Sequence, residues 1–100
     1  MPDDLNLLDM AKLRLRLKSD VFDNELEMHI GSAKALLKLS GVNPALVDEA
    51  EDSIIKNAIT AYVCSQFGLD NPDVARFSRI FNSFLQILTL SGEYRNGVVG

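Results

Sequence analysis

One hundred residues, 47% of them hydrophobic, suit a single folded domain and argue against two separate cores or a disordered chain. Ordering a chain of this size costs on the order of 100–200 kcal/mol of conformational entropy, so a core this small leaves a narrow margin that oligomerisation often widens. The formal charge of −4 disfavours a protein that wraps nucleic acid, because phosphate binding needs clustered Lys and Arg.

The single Cys64 has no internal partner for a disulfide and lies in an apolar stretch, which reads as a buried thiol in a reducing compartment. The opening Met1-Pro2-Asp3-Asp4 lacks the basic and apolar regions of a signal peptide. No apolar run approaches the ~20 residues that span a bilayer, and Lys56 interrupts the best candidate. Cytoplasmic synthesis without a membrane association is the expectation.

Turn signals divide the chain into four helical segments, which predicts an all-α fold, a small bundle of about four helices. The first runs from about Leu5, with Asp3 or Asp4 as N-cap. Leu13, Leu15 and Leu17 then alternate with Arg14, Arg16 and Lys18. A helix to about Leu15 followed by an extended connection fits that pattern. In the second segment Asp23 is the expected cap, and Leu26, Ile30, Ala33 and Leu37 form one stripe at i, i+4, i+7 and i+11. Gly41 supplies a left-handed C′ residue.

Asn43-Pro44 opens the third segment as N-cap plus N1 proline. The pattern leaves open whether one helix continues to Phe67 or a second starts with Asp52 or Ser53 as its cap. Asn71-Pro72 repeats the device. The stripe Val74, Phe77, Phe81, Phe84 and Leu88 follows and reads as core rather than a ligand pocket. After Leu90 the helical period stops. Residues 1–90 therefore read as the helical domain. Residues 91–100 read as a flexible tail, or a strand that orders on a partner.

No catalytic constellation emerges, and the sequence calls for no cofactor and no metal. His29 is the only histidine and sits one turn after Glu25, a surface pair. There is no phosphate-binding glycine loop, no CxxC and no nucleophile elbow. The cluster Asp48, Glu49, Glu51 and Asp52 lacks the alternation, central Gly and closing Glu of an EF-hand loop. It reads first as a solvated helix face. Lys12, Arg14, Arg16 and Lys18 make a basic edge on an acidic chain, suited to head-to-tail contact with another copy. Val98 and Val99 on a polar tail are the second candidate contact.

Several of these parts resemble the small head–tail connector, or adaptor, proteins of long-tailed double-stranded DNA phages and prophages. The resemblance covers roughly residues 8 to 95. It is carried by Ala11-Lys12 to Leu17 leading into Lys18-Ser19-Asp20, and by the helix from Asp23 through Ala33 to Gly41. The run Ile54-Ile55-Lys56-Asn57-Ala58-Ile59 to Tyr62-Val63, the stop at Phe67-Gly68 and the closing helix with its Tyr94-Arg95 exit complete it.

The resemblance implies a non-enzymatic helical subunit of a dodecameric ring beneath the portal. Such a ring extends the DNA channel and docks the tail or the next connector or tail-completion protein, in the virion neck after assembly in the host cytoplasm. On that view Asp48, Glu49, Glu51 and Asp52 are candidates to face the channel, where like charge lets DNA slide. Lys12, Arg14, Arg16 and Lys18 are candidates for subunit contact, and Tyr94, Arg95, Val98 and Val99 for portal contact. A generic helical interaction subunit is one rival. The other is a helix-turn-helix regulator with its turn at Gly68 to Pro72 and with Arg76 and Arg79 facing a groove. Its helix is too apolar and the net charge has the wrong sign.

Overall fold

The computed structural model describes residues 6–67 and 73–95. They form five helices: α1 (Leu7–Leu15), α2 (Asp23–Leu39), α3 (Pro44–Glu49), α4 (Ser53–Gln66) and α5 (Val74–Leu90). The architecture is the all-helical bundle that the periodicity predicts, with the short α3 as an added turn. No strand forms among the described residues.

Local chemistry sets each boundary. Asn6, rather than Asp3 or Asp4, starts α1: its side-chain oxygen accepts from the Asp9 amide at 2.8 Å. The helix closes in a left-handed turn at Arg16, φ 60°, where the Leu17 and Arg16 amides return to the carbonyls of Lys12 and Leu13. Helix phase alone puts Leu15 against the core and Leu13 in solvent, and the reversal then brings Leu17 back onto the core, which accounts for the alternating leucines.

Gly41 ends α2 in the same way, at φ +105°, with the Val42 amide bonded to the Leu37 carbonyl. Asn43 caps α3 with Pro44 at N1, as read from the sequence. Ala50 takes a left-handed conformation at φ 49° and separates α3 from α4, so residues 44–67 hold two helices. Asp52 caps the second, accepting from the Ile54 and Ile55 amides at 2.8 and 3.4 Å.

Asp23 departs from its expected role. It occupies the first position of α2 rather than the cap, and the cap residue Phe22 makes no side-chain bond. Its carboxylate meets Lys12 Nζ at 3.0 Å instead, because the ammonium already sits against Asp20 at 2.7 Å. This pair of contacts clips the end of α1 to the start of α2.

α4 is the central helix. Ile55, Ala58, Ile59, Ala61, Val63 and Cys64 are all buried, covering every side of it, with α1 and α2 packed along one flank and α5 along another. Thr60, also buried, satisfies its hydroxyl on the Lys56 carbonyl at 2.7 Å. Phe77, Phe81 and Leu88 of α5 enter the core, and Phe81 meets Tyr62 edge-to-face at 5.1 Å.

The end contacts fix directions. Phe22 at the start of α2 meets Phe67 at the end of α4, and Tyr94 beyond α5 meets Asp52 at the start of α4. Both α2 and α5 therefore run antiparallel to α4 and parallel to each other, without packing along one another.

Candidate functional site

Four acidic residues stand out in the sequence, and the structure divides them. Asp48, Glu49 and Glu51 are exposed around the α3–α4 junction, with Asp48 paired to Lys38 at 2.6 Å. Asp52 is half-buried and committed within the chain. One oxygen caps α4 and the other accepts from the Tyr94 hydroxyl at 2.7 Å. Partial burial opposes its ionisation, but the Tyr94 hydroxyl and the two amides outweigh it and hold the carboxyl below the usual range. The same bond, chiefly, pushes the Tyr94 phenol up to about 12.

The basic edge is divided too. The Lys12 ammonium is held by Asp20 and Asp23, whose hydrogen bonds raise its pKa, and Asp20 is lowered in return by Lys12. Arg14 reaches across to the Asn57 side chain on α4. Arg16 and Lys18 are exposed. They lie where α1 ends and α2 begins, whereas the start of α1 lines the same groove as Asp48, Glu49 and Glu51. Positive and negative clusters thus sit toward opposite ends of the bundle.

The segment after α5 is not loose at its start. Ser91 to Arg95 fold back across the α2–α3 connection, where Asn43 N–H donates to the Tyr94 carbonyl at 2.7 Å and Val42 pairs with Arg95 in an antiparallel bridge. Tyr94 and Arg95 are therefore seated on the body of their own chain. Val98 and Val99 lie outside the described residues. The sequence signal for this seating was weak, since only Tyr94 among residues 91–95 carries a large apolar surface.

An open groove of about 480 Å³ runs between α1, α2 and the α3–α4 junction. Leu8, Ile30, Lys34, Glu49, Glu51 and Lys56 are among its lining. Its lining carries four carboxylates, from Glu27, Asp48, Glu49 and Glu51, and two ammonium groups, from Lys34 and Lys56. Among the described residues no cluster of three or more His, Cys, Asp or Glu is placed to hold a metal. No helix of the described residues is long and apolar enough to cross a membrane. His29 sits 3.7 Å from Glu25, the surface pair expected from their spacing. Cys64 is buried, and burial raises its thiol to about 11 despite the nearby Arg14.

These surfaces of charge and helix agree with one comparison. The profile of the family described as "Phage connector protein" matches residues 7–95, nearly the entire described chain. The chain belongs to the phage connector protein family. None of the curated proteins and none of the solved structures matches it. Membership makes the connector a structural component of a phage particle. It also favours the structural role over the helix-turn-helix rival, whose proposed turn at residues 68–72 lies outside the described residues.

Proposed function

We propose that this connector subunit assembles as a ring beneath the portal in the virion neck, extends the DNA channel, and docks the tail or the next connector protein. The observation that carries the reading is the family match over residues 7–95, on a bundle whose α3–α4 junction presents Asp48, Glu49 and Glu51 to solvent. Duplex DNA carries about one negative charge per 1.7 Å of axis, so an acidic rim repels it and lets it pass without sticking. Asp52 contributes to that junction as its structural post rather than as a free charge.

Arg16 and Lys18 offer the opposite end of the subunit as a positive edge for an acidic neighbour. Arg95 rests, exposed, beside the α2–α3 connection, and Val98 and Val99, which follow it in sequence, are the candidate portal contacts. A dodecamer, matching the portal's symmetry, is the assembly that the connector resemblance implies.

Co-sedimentation of the purified chain with the portal oligomer encoded in the same gene cluster tests this. Saturable binding near one chain per portal subunit is expected. Absence of binding, in salt where the chain stays folded, overturns the connector assignment to that portal. Replacing Asp48, Glu49 and Glu51 together by Lys is expected to leave the fold intact and to impair DNA packaging or ejection. Unchanged packaging and ejection would remove the acidic rim from the mechanism.

A further inference from the structure

α2 and α5 each carry an exposed seam directed away from α4, and the two seams are alike or complementary at four of five positions, Met28 and Arg79 being the unlike pair. Both helices are 17 residues long and run the same way. At their third, sixth, tenth, fourteenth and last positions α2 places Glu25, Met28, Ser32, Leu36 and Leu39, and α5 places Arg76, Arg79, Ser83, Ile87 and Leu90. The spacing of three, four, four and three is that of a helix–helix packing seam. All ten residues are exposed, and four of the five apolar ones are exposed by half or more, Leu36 being less so. Leu39 is 85% exposed, Leu90 73%, Met28 60% and Ile87 50%. The outward face of a lone surface helix is ordinarily charged, yet here each seam ends in two large apolar residues.

We infer that the α2 seam of one copy packs in parallel, in register, on the α5 seam of a second copy of this chain. In that register Glu25 faces Arg76, Ser32 and Ser83 let the backbones approach at the middle, and Leu36 and Leu39 meet Ile87 and Leu90. Charge complementarity selects this pairing over the other parallel ones. Two α2 seams would oppose Glu25 to Glu25, and two α5 seams would oppose Arg76 and Arg79 to themselves. The local partners of the charges, His29 at 3.7 Å and Asp73 at 3.5 Å, are surface contacts that exchange at little cost.

The direction of the helices adds a geometric consequence. α2 and α5 are parallel within one chain, so a parallel contact between chains keeps every copy upright. Unlike faces then repeat around an axis, the arrangement that closes into a ring. The inference rests on the ring reading for its biological use but not for its test.

The test mixes Leu39→Cys chains with Leu90→Cys chains under mild oxidation, alone across rising concentration and again with the portal oligomer. The native Cys64 thiol, buried and raised to about 11, stays silent. A disulfide joining the two variants is expected in at least one of these conditions. Separately, Glu25→Arg or Arg76→Glu is expected to weaken self-association roughly three- to tenfold, and the two together in one chain to restore it. Disulfides only between identical variants, or none under either condition, overturn the inference. Portal binding without the mixed disulfide leaves the connector reading standing and removes this interface. A mixed disulfide without portal binding does the reverse.

Discussion

The Tyr94 hydroxyl donates to Asp52 Oδ2 at 2.7 Å across 42 residues of sequence, while Asp52 Oδ1 caps α4. One carboxylate therefore ties the last described segment of the chain to the start of its central helix. Replacing Tyr94 by Phe, or Asp52 by Ala, is expected to lower stability by about 1–3 kcal/mol each, the range for a hydrogen bond to a charged group or a lost cap. Because both changes break one shared bond, the double variant should lose less than their sum in urea denaturation. Strict additivity would show that the two residues act separately.

The same bond predicts a dependence on pH with two opposite limbs. Asp52 holds its proton less readily in the folded chain, so its contribution is complete above the unfolded carboxyl value near ~4 and disappears as pH falls through the lower folded value. Tyr94 is raised to about 12, so its contribution is complete below the ordinary tyrosine value near ~10. That contribution is lost as pH rises toward the folded value. The stability gap between the natural chain and Tyr94→Phe should be flat from about pH 5 to 9 and shrink on both sides. A gap that grows in acid would contradict the assignment.

Two left-handed positions should respond in opposite directions. No atom lies within 4 Å of a Cβ added at Gly41, so Gly41→Ala is disfavoured by its φ of +105° alone, by about 1–2 kcal/mol. Arg16 already bears that strain at φ 60°. Arg16→Gly relieves it against a more flexible unfolded chain, for a net gain of about 0.5 kcal/mol. Thermal melts of the two variants decide the signs.

Lys12 joins Asp20 and Asp23 across the α1–α2 turn. Lys12→Met keeps the aliphatic stem but leaves two carboxylates facing each other. Amide exchange in α1 should accelerate while exchange in α4 stays slow, since α4 is covered from several sides. Equal acceleration in both helices would mean that the clip supports the whole bundle rather than its first helix.

Cys64 is expected to resist alkylation at pH 8 until the chain unfolds, because it is buried and its thiol is raised to about 11. Labelling kinetics in increasing urea should follow the global transition. Rapid labelling without denaturant would reveal an opening of α4 toward solvent.

Much of the bundle was legible because the core stripes repeat at the helix period. Leu26, Ile30, Ala33 and Leu37 are buried together, as are Phe77, Phe81 and Leu88. The Asn43-Pro44 start and the Gly41 stop were legible for the same kind of reason, since each depends on backbone chemistry confined to a few residues. The fates of the candidate charges were not. The local role of Asp52 as a cap was open to a sequence reading, but the return of Tyr94 from beyond α5, which engages its second oxygen, was not. Lys12 likewise belongs to a run of four cations until Asp20 and Asp23 fold back onto it.

The outward seams of α2 and α5 lie between these cases. Met28, Leu36 and Leu39 are visible in the sequence as apolar residues off the core stripe. Nothing in a one-dimensional pattern says that α5 repeats the same five positions while running in the same direction.

The sequence by itself determined the helical class, the core stripes, the turn chemistry and the resemblance that the family match later supported. Each of these depends on interactions within a turn or two of helix. The tertiary structure decided which charges are spent inside the subunit, where the segment after Leu90 rests, and how α2 and α5 are oriented. Those outcomes depend on contacts between residues far apart in the chain, and a periodic pattern carries no information about which distant partner arrives.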